Sequence, residues 1–323
     1  MSHNPTRFLI LGMQRSGTTV LHQLVGGHPD VGTNPREFGS EFFKLRDGLA
    51  YHNPEAISPD PSLRDRLFDT WCALPQRDAP YAALGAKVAF PSAAMATQVT
   101  ASIRSDFRNF KVILISRDAP LNGLVSLKRA QSSHVWHHVS ASSTTLAHPS
   151  LKDKSQSEKI EKSDAKEKYL ININESEIIK YIWHWSRIND ALVELAKCVP
   201  SLSLSYEADL LDGNILQGGK VFDFLDVSRL PVTWITMEKI GGDLSDEIEN
   251  AEWAKAFIEA IQPIAQHTDN EAEFLIQLRP LLAGREARRL SVGDLRGVRR
   301  RRPRPIVTRV TSKLIERFPR IRT

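Results

Sequence analysis

The chain has 323 residues, 41% of them apolar and 25% charged, which are the proportions of a globular protein able to bury a substantial core. No run of about 18 apolar residues occurs, which excludes a spanning helix, and the opening Met-Ser-His-Asn-Pro-Thr-Arg offers no apolar stretch for a secretory leader. Cys72 and Cys198 are too few for a disulfide framework or a metal cluster, so a reducing cytoplasm is the expected setting.

The net charge of +5 is unevenly spread. Residues 277–323 carry 15 Lys and Arg against three acids, a net +12, whereas residues 1–276 carry 28 bases against 35 acids, a net −7. This contrast divides the chain into an acidic body, 1–276, and a basic extension, 277–323.

In chain order, Arg7-Phe-Leu-Ile-Leu11 reads as a central parallel strand that ends at Gly12. A polar loop follows, and Thr18 opens a helical pattern (Val20, Leu21, Leu24, Val25) that stops at Gly26-Gly27. Residues 37–49 and 63–74 read as helices. Gly85 to Phe90 reads as a second strand, and Lys111-Val-Ile-Leu-Ile-Ser116 is the clearest strand in the chain. Arg117-Asp118 and a turn through Pro120 lead to a helix over 121–130. The Ser, Lys, Glu and Asp-rich stretch 140–168 has little apolar periodicity and is expected to be a surface insertion or lid. A long helix over 176–196, a strand over 202–206 and a helix over 214–225 complete the pattern. Strands alternating with helices predict a P-loop-like, three-layer α/β/α fold around a mostly parallel sheet, with a helical or disordered basic tail.

Gly12-Met-Gln-Arg-Ser-Gly-Thr-Thr19 between strand and helix has the layout of a phosphate-binding loop. Its backbone N–H groups and the helix N-terminus would point into one concavity that stabilises an anion. A nucleoside triphosphate loop needs Lys directly after the second glycine; here Thr18 stands there and the cation, Arg15, lies inside the loop. The nearest candidate for a Mg²⁺-holding acid is Asp118, so a P-loop nucleotide kinase or NTPase remains the alternative enzyme.

Arg15-Ser-Gly-Thr-Thr19 resembles the phosphosulfate loop of the PAPS-dependent sulfotransferases, where PAPS is 3′-phosphoadenosine-5′-phosphosulfate. Leu24-Val-Gly-Gly-His-Pro-Asp-Val31 and Arg36-Glu37 with Phe42-Phe43 are similar to segments that follow the loop in carbohydrate-type and bacterial NodH-like members. Ile115-Ser-Arg-Asp-Ala-Pro-Leu-Asn-Gly-Leu-Val-Ser-Leu-Lys-Arg-Ala130 resembles the segment that binds the 3′-phosphate through an Arg and a Ser. Those residues would be Arg117 and Ser126, nine apart and so one more than the usual spacing. Tyr206-Glu207 and Leu244 to Asn250 resemble later segments, so the likeness spans about residues 7–265.

The resemblance implies transfer of a sulfuryl group from PAPS to an acceptor hydroxyl, leaving 3′,5′-ADP and requiring no metal. It implies PAPS contacts from Arg15, Ser16, Gly17, Thr18, Thr19, Arg117 and Ser126. Arg15 would meet the bridging oxygen and Lys87 the sulfuryl group, with Glu37 as the base and Glu41 its alternative. His22 and His28 are weaker candidates for that base. Lys87 could equally be a solvated lysine at the start of a strand. Of Trp183 and Trp185, at least one is expected in the core. The likeness near Arg36-Glu37 suggests a small-molecule, glycan or glycolipid acceptor.

In the tail, Val307, Val310, Leu314 and Phe318 recur at helical spacing opposite Arg309, Lys313 and Arg317. This pattern fits a helix lying on an anionic membrane, for example at the inner membrane face. A solvated tail or one packed on the acidic body is the simpler reading, and nucleic acid is the least favoured partner. A noncatalytic membrane or nucleic-acid adaptor is the corresponding alternative function.

Overall fold

A parallel strand covered on both faces needs apolar side chains at every position. Phe8, Leu9, Ile10 and Leu11 supply them, each at most 1% exposed. The structure, a computed structural model, describes residues 4–33, 65–66, 68–69, 72, 80–133, 170–211, 219–229, 248–282 and 290–295. Within these, strands β1 (Thr6–Met13), β2 (Val31–Thr33), β3 (Ala83–Phe90), β4 (Lys111–Ser116) and β5 (Ser201–Ser205) form one sheet. Its order is β2-β3-β1-β4-β5 and every neighbouring pair is parallel.

The helices are α1 (Thr18–Gly26), α2 (Ala93–Asp106), α3 (Pro120–Ser133), α4 (Glu175–Ala196), α5 (Lys220–Phe224), α6 (Ala251–His267), α7 (Glu271–Leu278) and α8 (Val292–Leu295). Strand alternation sorts them into layers. Phe8, Ile10, Ile113 and Ile115 pack with Leu21, Leu24 and Val25 of α1 and with Val221 of α5. Leu9, Leu11, Val88, Val112 and Leu114 pack on the other side, with α2, α3, α4 and α6. The three-layer α/β/α architecture expected from the sequence is therefore present.

The long helix α4 starts at a capping box, in which the Asn174 side chain accepts from Glu177 N and the Glu177 carboxylate accepts from Asn174 N. Its stripe Ile178, Ile179, Ile182, Ile188 and Leu195 is 0% exposed, so truncating any one of them to alanine should cost about 2–5 kcal/mol. At its middle, His184 Nδ1 accepts from Ala93 N at the start of α2. That bond needs the neutral ring, the form that burial also favours by pushing the imidazole pKa down.

Several boundaries differ from the sequence reading. β3 begins at Ala83, so Lys87 lies in mid-strand and is not a solvated residue at a strand start. β5 ends at Ser205, and Tyr206 instead opens a π-helix, Tyr206–Leu211. Strand β2 and helices α2, α6, α7 and α8 were not predicted. The expected helix 37–49, the insertion 140–168 and the tail beyond residue 295 lie outside the described residues. Among the described residues no helix is long and apolar enough to cross a membrane.

The strand order fixes where a ligand can bind. From β1 the chain runs to β2 and β3 on one side, then crosses to β4 and β5 on the other. Connections leaving β1 and β4 therefore part in opposite directions, and a crevice opens between the carboxyl ends of those strands.

Candidate functional site

The loop after β1 turns at that crevice. Arg15 (φ 72°) and Gly17 (φ 88°) both occupy the left-handed region, a conformation that costs a non-glycine residue about 1–2 kcal/mol. Ser16 fastens the turn through its N–H and its hydroxyl, which both donate to Met13 O, at 3.2 Å and 2.7 Å. Two glycines make the turn possible by close approach as well as by φ. A Cβ at Gly12 would lie 2.5 Å from both Ser16 Oγ and Ile115 O, and one at Gly17 would collide with the Tyr206 ring. Gly17 is also the N-cap of α1 and brings no side chain to its first turn. The first-turn N–H groups thus face the concavity without a side-chain cap.

Cations reach the loop from two directions. Lys87 of β3 projects to the α1 face, where its Nζ donates to Thr19 Oγ1 at 2.5 Å and only 6% of the residue is exposed. Arg15 reaches across the crevice, its Nε donating to Ser126 Oγ of α3 at 2.9 Å. The loop and the segment after β4 are joined again by Arg117, whose NH1 donates to the Arg15 carbonyl at 3.0 Å. Burial, and then the neighbouring Arg117 charge, holds the Arg15 pKa below its ordinary value. Two guanidiniums that disfavour each other in a partly desolvated crevice form a place where an anion relieves repulsion.

Arg117 is itself held by the residues that follow β5. The Tyr206 ring lies 4.5 Å from its guanidinium carbon, and Glu207 Oε1 accepts from its Nε at 3.2 Å. The second Glu207 oxygen accepts from Asp118 N at 2.9 Å. Replacing Glu207→Gln removes the charge while keeping the size. With the Glu207 side chain 26% exposed, the expected cost is about 1–2 kcal/mol, read as a lowered Tm in calorimetry. An unchanged Tm would mean that Tyr206 and the Arg15 carbonyl suffice to hold Arg117.

Of the residues singled out from sequence, Arg15, Ser16, Gly17, Thr18, Thr19 and Arg117 gather where β1 and β4 end, with Lys87 reaching Thr19 from the middle of β3 and Ser126 reaching Arg15 from α3. Ser126 Oγ meets Arg15 and not Arg117. Glu37 and Glu41 lie outside the described residues. His22 is buried within α1, and His28 Nδ1 accepts from Asp30 N as a turn-forming histidine does. Trp183 and Trp185 are both buried: the first stacks on Phe274, and the second donates from Nε1 to Arg117 O. Asp118 accepts from Ser205 Oγ at 2.6 Å. Glu207 was noticed in sequence only as part of a strand-end dipeptide, and Tyr181 on α4 was not singled out. Tyr181 sits in a stripe with Trp185 and Ile188 that reads as core, so local sequence held no signal for it.

No family model and no curated protein matches this chain. Among solved structures it aligns with the crystal structure of a sulfotransferase from Alicyclobacillus acidocaldarius at 17% identity and a TM-score of 0.37, over 83% of this chain and 98% of that one.

Proposed function

We propose that this protein is a PAPS-dependent sulfotransferase acting on an acceptor hydroxyl of a small molecule, glycan or glycolipid. The observation that carries this reading is the placement of cations around the loop. A triphosphate loop draws its lysine from the position after the second glycine, which here is Thr18. In this chain the cations come from inside the loop, as Arg15, and from β3, as Lys87 on Thr19. The sequence resemblance at Arg15 to Thr19 and at Arg117 to Ser126 supports the same donor.

The glycine-bounded concavity, the uncapped α1 N-terminus and the flanking cations fit a phosphosulfate. Bound there, PAPS would supply an activated sulfuryl group and a phosphate leaving group. Backbone N–H groups of Gly17, Thr18 and Thr19 hold the 5′-phosphate. Arg15 offsets charge that develops on the bridging oxygen, and Lys87 offsets charge on the sulfuryl oxygens. Arg117 and Ser126 take the 3′-phosphate. Glu37, with Glu41 as alternative, accepts the acceptor's proton as its oxygen bonds to sulfur and the sulfur–oxygen bond to the 5′-phosphate breaks.

Thermal shift with 3′,5′-ADP, with ATP plus Mg²⁺, and without ligand tests the reading. Stabilisation by 3′,5′-ADP without metal is expected, about 2.7 kcal/mol at a hundred times Kd. Stabilisation by ATP plus Mg²⁺ alone would favour a nucleotide kinase or NTPase. Stabilisation by neither would leave the noncatalytic adaptor.

A further inference from the structure

Tyr181 occupies an unusual place for a residue on an apolar helix face. It is 6% exposed, yet it lines a narrow pocket together with Ser16, Arg117 and Trp185. Among the described residues its hydroxyl has no hydrogen-bond partner, yet it is not one of their sealed, unpartnered polar atoms, so a ligand can reach it. The space for that hydroxyl is made by Gly123 of α3, three residues before Ser126. A Cβ at Gly123 would collide with the Tyr181 oxygen and would lie 3.6 Å from Arg117 Cδ. A glycine inside a helix costs roughly 0.5–1 kcal/mol relative to alanine, so this opening is obtained against the helix's own preference.

We propose that the Tyr181 hydroxyl is a further ligand of the anion at Arg117 and Ser126, and that Gly123 is the space-making residue that lets it reach there. The assignment rests on the sulfotransferase reading above and identifies that anion as the 3′-phosphate of the nucleotide. Burial pushes the phenol pKa well above its ordinary value, ahead of the opposing pull of Arg117 and Arg15. The group therefore stays a neutral O–H donor at any physiological pH. A neutral donor suits the position, because Arg15 and Arg117 already crowd two positive charges together.

The experiment is isothermal titration of wild type, Tyr181→Phe, Gly123→Ala and the double variant with 3′,5′-ADP and with 5′-AMP, which lacks the 3′-phosphate. Losing a hydrogen bond to a charged group should weaken 3′,5′-ADP about tenfold or more in Tyr181→Phe. Binding of 5′-AMP should stay within about twofold of wild type, since the contact it retains is elsewhere. Gly123→Ala should show the same selective loss by displacing the hydroxyl. In the double variant the oxygen is gone and the added Cβ meets ring Cζ at 3.2 Å and Arg117 Cδ at 3.6 Å, so the two losses should not add. Equal affinities of wild type and Tyr181→Phe for 3′,5′-ADP, or equal weakening of both nucleotides, would overturn the assignment alone. Failure of wild type to bind 3′,5′-ADP would overturn the sulfotransferase reading and the assignment with it. Thermal melts of each variant check the fold.

Discussion

Arg15→Ala is expected to lower sulfuryl transfer from labelled PAPS about a thousandfold while leaving the fold intact. A single donor aimed at developing negative charge is worth about 10²–10³ in kcat, and Arg15 adds a full positive charge to such a donor. The substitution is clean for a backbone reason. Arg15 holds φ 72°, and alanine tolerates the left-handed region no worse than arginine does, because the clash involves Cβ in both. The bond from Arg117 NH1 goes to the Arg15 carbonyl and survives the change. Burial and the neighbouring Arg117 already disfavour the Arg15 charge, so the variant should melt at or slightly above the wild-type Tm. Arg15→Lys should fall between, with the charge kept but the planar Nε donor to Ser126 lost. Transfer within tenfold of wild type in a folded Arg15→Ala protein would remove Arg15 from the chemistry.

The second large effect is expected at Lys87. Lys87→Met should reduce transfer about 10²–10³-fold while Tm stays level or rises. The opposed directions are the diagnostic. Lys87 is 6% exposed in the middle of β3, where an ammonium is costly and an unbranched thioether packs well. Thr19 loses a donor but keeps a hydroxyl that can turn. A drop in Tm of several degrees with transfer preserved would instead make Lys87 a strut for the first turn of α1. Calorimetry beside a labelled-sulfate assay separates the two roles.

How far the sequence carried these arguments depended on distance along the chain. β1, β4 and α4 were legible because their signals are contiguous, as in Lys111 to Ser116, where every inner residue is buried. Helix α2 was not, although Ala96, Val99, Thr100 and Ile103 have helical spacing; two of those four are too small or polar to stand out as an apolar stripe. β2, at three residues, is too short to show alternation and is defined by pairing with β3. The glycine-bounded loop after β1 was legible because Arg15 to Thr19 are adjacent. What converges on it was not: Lys87 reaches Thr19 only through the register that pairs Ile10 with Lys87 across β1 and β3. Glu207 reaches Arg117 only once β5 pairs with β4. Tyr181 needs the crossing of α4 over α3, which no local pattern encodes.

The bond from Arg117 to the Arg15 carbonyl has a consequence for selectivity among nucleotides. It ties the loop after β1 to the loop after β4 through the chain's own hydrogen bonding. If each loop takes one end of a nucleotide, the second contact becomes intramolecular and forms at high effective concentration between parts already fixed in place. A nucleotide phosphorylated at both ends then gains from both contacts at little further entropic cost, whereas a 5′-nucleotide of any length engages one loop alone. By this means the tied loops would favour a nucleotide phosphorylated at both ends over a 5′-triphosphate.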